Sequence, residues 1–407
     1  MDGADGQAAK RVALLFTQFP VATETFLQRE VIALQHGQRN WPVFALWPTT
    51  EGGVESMTAD HTFHGWHLLT LFWWIPYWTI RHPKAMRSLA EALVSARIPN
   101  LINFAETLLG LAYGIARARA LAGRFDHFHA VWASAPATAA WALYKLTGTP
   151  FSMSGHAYDL YEDGGDGLLE VKIPEARFIR TSTDTGRNRW KQLGCPGEKV
   201  HVIRRGLSKL PKLEQGPDTV PQEPYKLLAV GRLVEKMGYS MLLEILAGLK
   251  QSRFPFQATL VGSGPLLGKL QRRARRLGLE DCLEFAGGLP FREVTWHYRE
   301  ADLFLFSGQV ARSGDRAGFP NAIGEAMAWG VPVCASFVGA VPEGIQDGQT
   351  GLLYRKPDEA VAKIPALFAD HARYAAIRQS ARQWLEKEFD ANRNMERFAR
   401  LVEAASA

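Results

Sequence analysis

Along the first half of the chain, short runs of β-branched and apolar residues alternate with stretches whose apolar positions recur at helical spacing. The runs occupy residues 11–16, 42–47, 128–133, 150–154, 178–182 and 200–203, and helical patterns such as that of residues 24–36 fall between them. Strands alternating with helices predict βα units around a parallel sheet. After Gly206 the pattern lapses, and residues 207–224, rich in Pro, Gly and Lys, read as a linker. The rhythm then restarts, with runs at 226–231, 257–262, 283–287, 301–307, 331–336 and 351–354. The expected fold class is α/β, two doubly wound domains in tandem over residues 1–206 and 225–380. Ligands of such sheets lie at the carboxyl ends of the strands, so a cleft between the two domains is expected. Residues 371–405 carry an amphipathic pattern that fits one or two long helices over a domain face. Segment 381–407 is read as a C-terminal helix, with a return to the N-terminal domain as one option.

One region breaks the rhythm. Between Asp60 and Arg81 there is no Asp, Glu, Lys or Arg, and residues 66–80 crowd together Trp66, Phe72, Trp73, Trp74, Tyr77 and Trp78. The run is too short, and too interrupted by Pro76, for a membrane span, which needs about 20 apolar residues. Arg81, Lys84 and Arg87 follow directly, so one reading sets the indoles at a lipid interface with the cations facing head groups. The other reading is an aromatic helix buried against its own domain.

Composition narrows the picture modestly. A chain of 407 residues, 47% hydrophobic and 22% charged, fits two cores better than one. The net charge of +6 suits anionic partners without selecting one. Cys195, Cys282 and Cys334 lie far apart and show neither a disulfide framework nor metal-ligand spacing, which points to a reducing compartment. The polar, acidic N-terminus lacks the pattern of a signal peptide, so the expected location is the cytoplasm, with peripheral attachment to the inner face of the membrane. Nucleic-acid binding is disfavoured, because the basic residues are scattered and accompany no recognised module.

Three loops after predicted strands carry candidate chemistry. The first ends a strand in Gly231 and offers Arg232 and Lys236 before a helix near Gly238, a place where phosphate meets cations and free N–H groups. The second repeats the geometry one unit later with Gly262, Gly264 and Pro265. The third is residues 314–327, where Gly318 and Pro320 shape a turn and Glu325 falls one turn inside the following helix, placed to bind a ribose diol. A solvated basic loop, plain turn glycines and a first-turn dipole partner are the bland readings of the same residues.

Taken in order, these segments resemble the large family of retaining, nucleotide-sugar-dependent glycosyltransferases with the signature E-G-F-P-x4-E-A-M-A, the group 1, family 4-like enzymes of GT-B architecture. The likeness runs through Ala317-Gly318-Phe319-Pro320, then Glu325 to Val333, the stretches 230–236, 260–265, 285–287 and 339–354, and residues 19–34 and 154–161. The N-terminal part looks most like the bacterial exopolysaccharide, colanic-acid-type branch. The resemblance implies two Rossmann-like domains. It implies that Gly231, Arg232, Lys236, Gly262 and Gly264 hold the donor diphosphate, and that Glu325 holds the ribose. It further implies that Gly318, Phe319, Pro320 and Asn321 form the donor-sugar loop, that His156 contacts the sugar or transition state, and that Thr23 and Glu24 lie on the acceptor side. The expected cofactor is none: the nucleotide sugar is a co-substrate, and no metal is required if two cations absorb the charge of the leaving diphosphate.

Two positions depart from the family pattern. Ala317 stands where the family has glutamate, and Met237 where it has the donor lysine, with Lys236 one residue away. The leading reading is transfer of a hexose from a UDP- or GDP-sugar to a lipid-linked or surface-polysaccharide acceptor. A degenerate, weakly active or non-catalytic nucleotide-sugar-binding subunit of a polysaccharide assembly system and a GT-B-fold epimerase are the competing readings.

Overall fold

The computed structural model describes residues 10–21, 24–49, 57–213 and 220–406. The chain divides into two compact units. Unit 1 comprises residues 1–182, 186–203 and 391–407, and unit 2 comprises residues 183–185 and 204–390.

Unit 1 is built on a seven-stranded parallel sheet of β1 (Val12–Phe16), β2 (Val43–Ala45), β3 (His61–Thr62), β4 (His127–Ala130), β5 (Phe151–Ser154), β6 (Ile179–Thr181) and β7 (Val200–Val202), in the order β3-β2-β1-β4-β5-β6-β7. The order reverses between β1 and β4, as in a doubly wound sheet. Its helices are α1 (Thr25–His36), α2 (Leu71–Arg81), α3 (Pro83–Ser95), α4 (Leu101–Leu121), α5 (Ala135–Thr147), α6 (Tyr158–Tyr161), α7 (Leu169–Glu175) and α8 (Asp184–Gln192). All five residues of β1 are buried, because both faces are covered. Side chains alternate along a strand. Val12, Leu14 and Phe16 therefore join the α1 cluster of Phe26, Leu27 and Val31, while Ala13 and Leu15 join Leu111, Ala139 and Leu143 from α4 and α5. Helices α4 and α5 approach closely: a Cβ at Gly110 would lie 2.7 Å from the Thr138 side chain, and one at Gly114 would overlap Ala142.

Unit 2 repeats the scheme with six parallel strands, β8 (Tyr225–Val230), β9 (Phe256–Val261), β10 (Leu283–Gly287), β11 (Leu303–Phe306), β12 (Val333–Ser336) and β13 (Leu352–Tyr354), in the order β10-β9-β8-β11-β12-β13. Around it lie α9 (Tyr239–Gln251), α10 (Leu267–Arg276), α11 (Phe291–Glu300), α12 (Asn321–Ala328), α13 (Pro357–Ala369) and α14 (His371–Glu388). The last helix, α15 (Ala391–Ala405), belongs to unit 1 and packs on α1, so the chain leaves unit 2 after Asp390, not at residue 381.

Each of the twelve apolar runs contains a strand, and β3 adds one that the pattern does not announce. Its two residues are His and Thr, recruited as an edge by pairing with Phe44 and Ala45. The aromatic segment divides its side chains. Trp78 is buried at 4% exposure and donates its indole N–H to the Ile115 carbonyl at 3.0 Å, whereas Phe72 and Trp73 stand 78% and 74% exposed. Neither a wholly buried nor a wholly interfacial helix describes it. Helix α10 begins at Leu267, and Pro265 sits in the preceding turn.

Candidate functional site

In unit 2 the loops after β8, β9 and β11 rise from adjoining strands and touch one another. The Gly231 N–H donates to the Val261 carbonyl at 3.0 Å, and the Leu233 N–H to the Ser263 carbonyl at 2.8 Å. Glycine is obligatory where these turns meet. A Cβ on Gly262 would overlap the Gly231 carbonyl, and Gly238, with φ of 63°, has the Ser307 carbonyl where its Cβ would stand. Gly238 then opens α9. Gly231, Arg232, Lys236, Gly262 and Gly264 are thus gathered at the carboxyl edge of one sheet, with Arg232 exposed.

The turn from 232 to 238 is braced by the loop after β11. The Gln309 N–H donates to the Lys236 carbonyl at 2.9 Å, its side-chain amide to the Glu235 carbonyl at 3.0 Å, and the Ser307 hydroxyl to the Met237 carbonyl at 3.0 Å. The Lys236 ammonium faces Asp315, with Nζ 2.7 Å from Oδ2. Met237 turns beneath the strand-end turn instead, its methyl 2.5 Å from where a Gly231 Cβ would lie.

Farther along this loop, Ala317 packs against the apolar cluster around Ile323 and Val341. The expected donor-sugar loop is split by burial. The Phe319 side chain sits in the core, its ring centroid 5.3 Å from that of Trp384 and 5.7 Å from that of Phe389, so it anchors the loop and presents nothing to a ligand. Pro320 caps α12 and Asn321 is its first residue, while Gly318 and Asn321 keep partial exposure. Glu325, in the second turn of α12, is 9% exposed. Its Oε2 accepts the Tyr298 hydroxyl at 3.1 Å, beside a cavity of about 370 Å³ lined also by Leu210, Phe291 and Trp329. Nothing in the sequence pattern singles out Tyr298; its place on α11 puts it opposite Glu325.

In unit 1, His156 follows β5, Trp132 follows β4, and Glu24 is the N-cap of α1. Trp132 lies between His156 and α1, with its ring centroid 5.8 Å from that of His156 and 6.1 Å from that of Phe26. Thr23 lies outside the described residues. His156 is buried, and Asp159 fixes its loop by accepting N–H bonds from His156, Ala157 and Ala133 at 3.1, 2.9 and 3.1 Å. Desolvation nonetheless holds the Asp159 carboxyl above its ordinary range. Behind it lies a polar network that no sequence motif marks. The fully buried Lys172 pairs with Asp166 and donates to the Ala133 carbonyl at 2.6 Å. Glu106 is pushed up to about 7, chiefly by desolvation and also by Asp166 and Asp159, against the hydrogen bond from Ser134. Tyr158 is likewise raised well above its usual value by burial.

Residues 214–384 match the family described as glycosyl transferases group 1. The chain is 31% identical over 225 residues to the putative colanic acid biosynthesis glycosyltransferase WcaL of Escherichia coli, covering 54% of this chain and 55% of that protein. It is 33% identical over 213 residues to the amylovoran biosynthesis glycosyltransferase AmsK of Erwinia amylovora, covering 52% of each. The chain spans about half the length of these curated relatives. Among solved structures, Anabaena Alr3699/HepE in complex with UDP and glucose superposes with a TM-score of 0.66 at 16% identity, covering 97% of this chain and 100% of that one. Two parallel Rossmann-like sheets with glycine turns at adjoining strand ends give the chain a fold of the GT-B class, and within it residues 214–384 match the group 1 glycosyl transferases.

Proposed function

We propose that the chain is a retaining glycosyltransferase that moves a hexose from a UDP- or GDP-sugar to a lipid-linked or saccharide acceptor in cell-surface polysaccharide synthesis. The observation that carries the reading is the turn at the end of β8, where exposed Arg232 and, near it, Lys236 stand beside the side-chain-free turns of Gly231, Gly262 and Gly264, so that a diphosphate can approach the backbone between cations. In the transfer, the bond between the anomeric carbon and the diphosphate oxygen breaks and the electron pair leaves with the nucleoside diphosphate. The acceptor oxygen bonds to that carbon on the face the diphosphate leaves, and the acceptor proton passes to the departing phosphate. Arg232 and Lys236 absorb the developing negative charge without a metal. Within unit 2, Glu325 holds the ribose; the roles of His156 toward the sugar and of Glu24 toward the acceptor rest on the family resemblance alone. The similarity to WcaL and AmsK supports the polysaccharide role. Calorimetry with UDP, GDP and their hexose conjugates, combined with a transfer assay, tests it: binding with turnover is expected. Binding without turnover selects the non-catalytic subunit, and hexose isomerisation without acceptor selects the epimerase.

Delivery to a lipid-linked acceptor is the second part of the reading. No helix among the described residues is long and apolar enough to cross a membrane. Helix α2 instead exposes Phe72, Trp73 and Ile80, and at its end Arg81, His82 and Lys84 line a recess of about 890 Å³ with Lys145. Indole and phenyl rings beside cations match an anionic bilayer surface on the cytoplasmic side.

A further inference from the structure

We infer that Asp315 is the carboxylate that positions the transferred sugar and that Lys236 holds it in place until the donor binds. The inference rests on the glycosyl-transfer reading above and deepens it. Residues 308–320 contain one carboxylate, Asp315. Its Oδ2 is taken by Lys236, while its Oδ1 is buried and meets no hydrogen-bond donor among the described residues. A carboxylate oxygen carries two acceptor sites, and a buried acceptor left empty is costly, so such groups are ordinarily paired. The group that fits is one that arrives with the ligand and donates O–H bonds, which is what a hexose offers and a bare phosphate does not.

The placement is built into the fold. The Ala311 N–H donates to the Asp315 carbonyl at 2.8 Å, and the same loop is pinned to the turn at 235–237 through Gln309 and Ser307. The carboxylate therefore keeps its station beside the strand-end turn. Two opposite effects follow from its charge. A nucleoside diphosphate alone must compete with Asp315 for Lys236 and meets a like charge. A nucleotide sugar brings hydroxyls that use Oδ1, so the same carboxylate favours it. Asp315 thereby sets the preference for intact donor over spent product and helps expel the product.

The neutral, isosteric variant D315N separates this from a structural role. UDP, GDP, UDP-glucose and GDP-mannose are titrated calorimetrically against wild type and variant, with thermal melting as the control for folding. D315N is expected to tighten the bare diphosphate by about threefold or more. It is expected to weaken the conjugate that the wild type accepts, and to slow its transfer, by about tenfold or more. The ratio of the two affinities thus moves in one direction while each shifts oppositely. If both ligands change in step, or neither changes in a folded variant whose parent transfers sugar, Asp315 is not the sugar ligand. D315E should restore part of the preference; a variant D315E that behaves as D315N also overturns the inference. A wild type that binds diphosphate but no nucleotide sugar overturns the glycosyl-transfer reading itself and this inference with it.

Discussion

Arg232 and Phe319 both stand in glycine-containing loops after strands of unit 2, yet burial gives them opposite roles. Arg232 leaves β8 exposed at a turn where its guanidinium can meet a diphosphate in two-point fashion. Arg232→Ala is expected to weaken binding of the nucleoside diphosphate by on the order of 2 kcal/mol with the melting temperature held, as a titration will read. Unchanged affinity removes Arg232 from the site. Phe319, by contrast, is 7% exposed and wedged against Trp384 and Phe389. Phe319→Ala should cost about 3–5 kcal/mol of stability in a denaturant titration, so its loss of activity would report unfolding. Both residues were legible as types in a motif. Which one points outward was not, because the turn before α12 and the rings of Trp384 in α14 and Phe389 just after it decide it.

At the scale of elements, α2 shows how a helix with no charged residue before Arg81 reconciles two environments. Trp78 is held by α4, and Arg119 of α4 lies 5.3 Å from the Tyr77 ring, which leaves Phe72 and Trp73 on the outer side. Replacing both Phe72 and Trp73 by Ser should abolish sedimentation with anionic vesicles while leaving the melting temperature nearly unchanged. Raised salt should weaken the wild type's binding, since each basic residue near a charged surface contributes about 1 kcal/mol and salt screens it. A large drop in stability would instead assign these rings to the core.

The packing of α4 beside α5 and α6 has its own signature in pH. Glu106 is raised from 4.5 to about 7, with Asp159 and Asp166 opposing its ionisation and Lys172 favouring it. Below pH 4.5 the carboxyl is protonated in folded and unfolded chains alike. Between 4.5 and 7 the unfolded chain releases the proton and the folded chain retains it, so stability is lost as pH rises through this window and levels off above it. Glu106→Gln should flatten that slope and gain on the order of 2–3 kcal/mol at pH 8, measured by chemical denaturation at several pH values.

For the whole molecule, the last helix is informative because it closes the core of the unit where the chain began. Met395, Phe398 and Val402 of α15 are buried in the α1 cluster, and Arg39 of unit 1 pairs with Glu396 and Glu403. Ending the chain at Asp390 should lower the stability of unit 1 by more than about 5 kcal/mol, since burial of each such side chain contributes roughly 1.5–3 kcal/mol. The calorimetric transition of unit 1 should carry the loss, and equal shifts of both transitions would contradict it. The sequence by itself determined the twelve principal strands, the doubly wound class and the order of the motif loops, because local periodicity and turn chemistry are properties of short windows. It did not determine the pairing of β3, the return of α15, the Tyr298–Glu325 contact, the Glu106 network or the Lys236–Asp315 pair. Those depend on which surfaces meet after the chain has crossed over many residues, and only the tertiary structure decides that an Asp far along the chain stands opposite a Lys and leaves one oxygen empty.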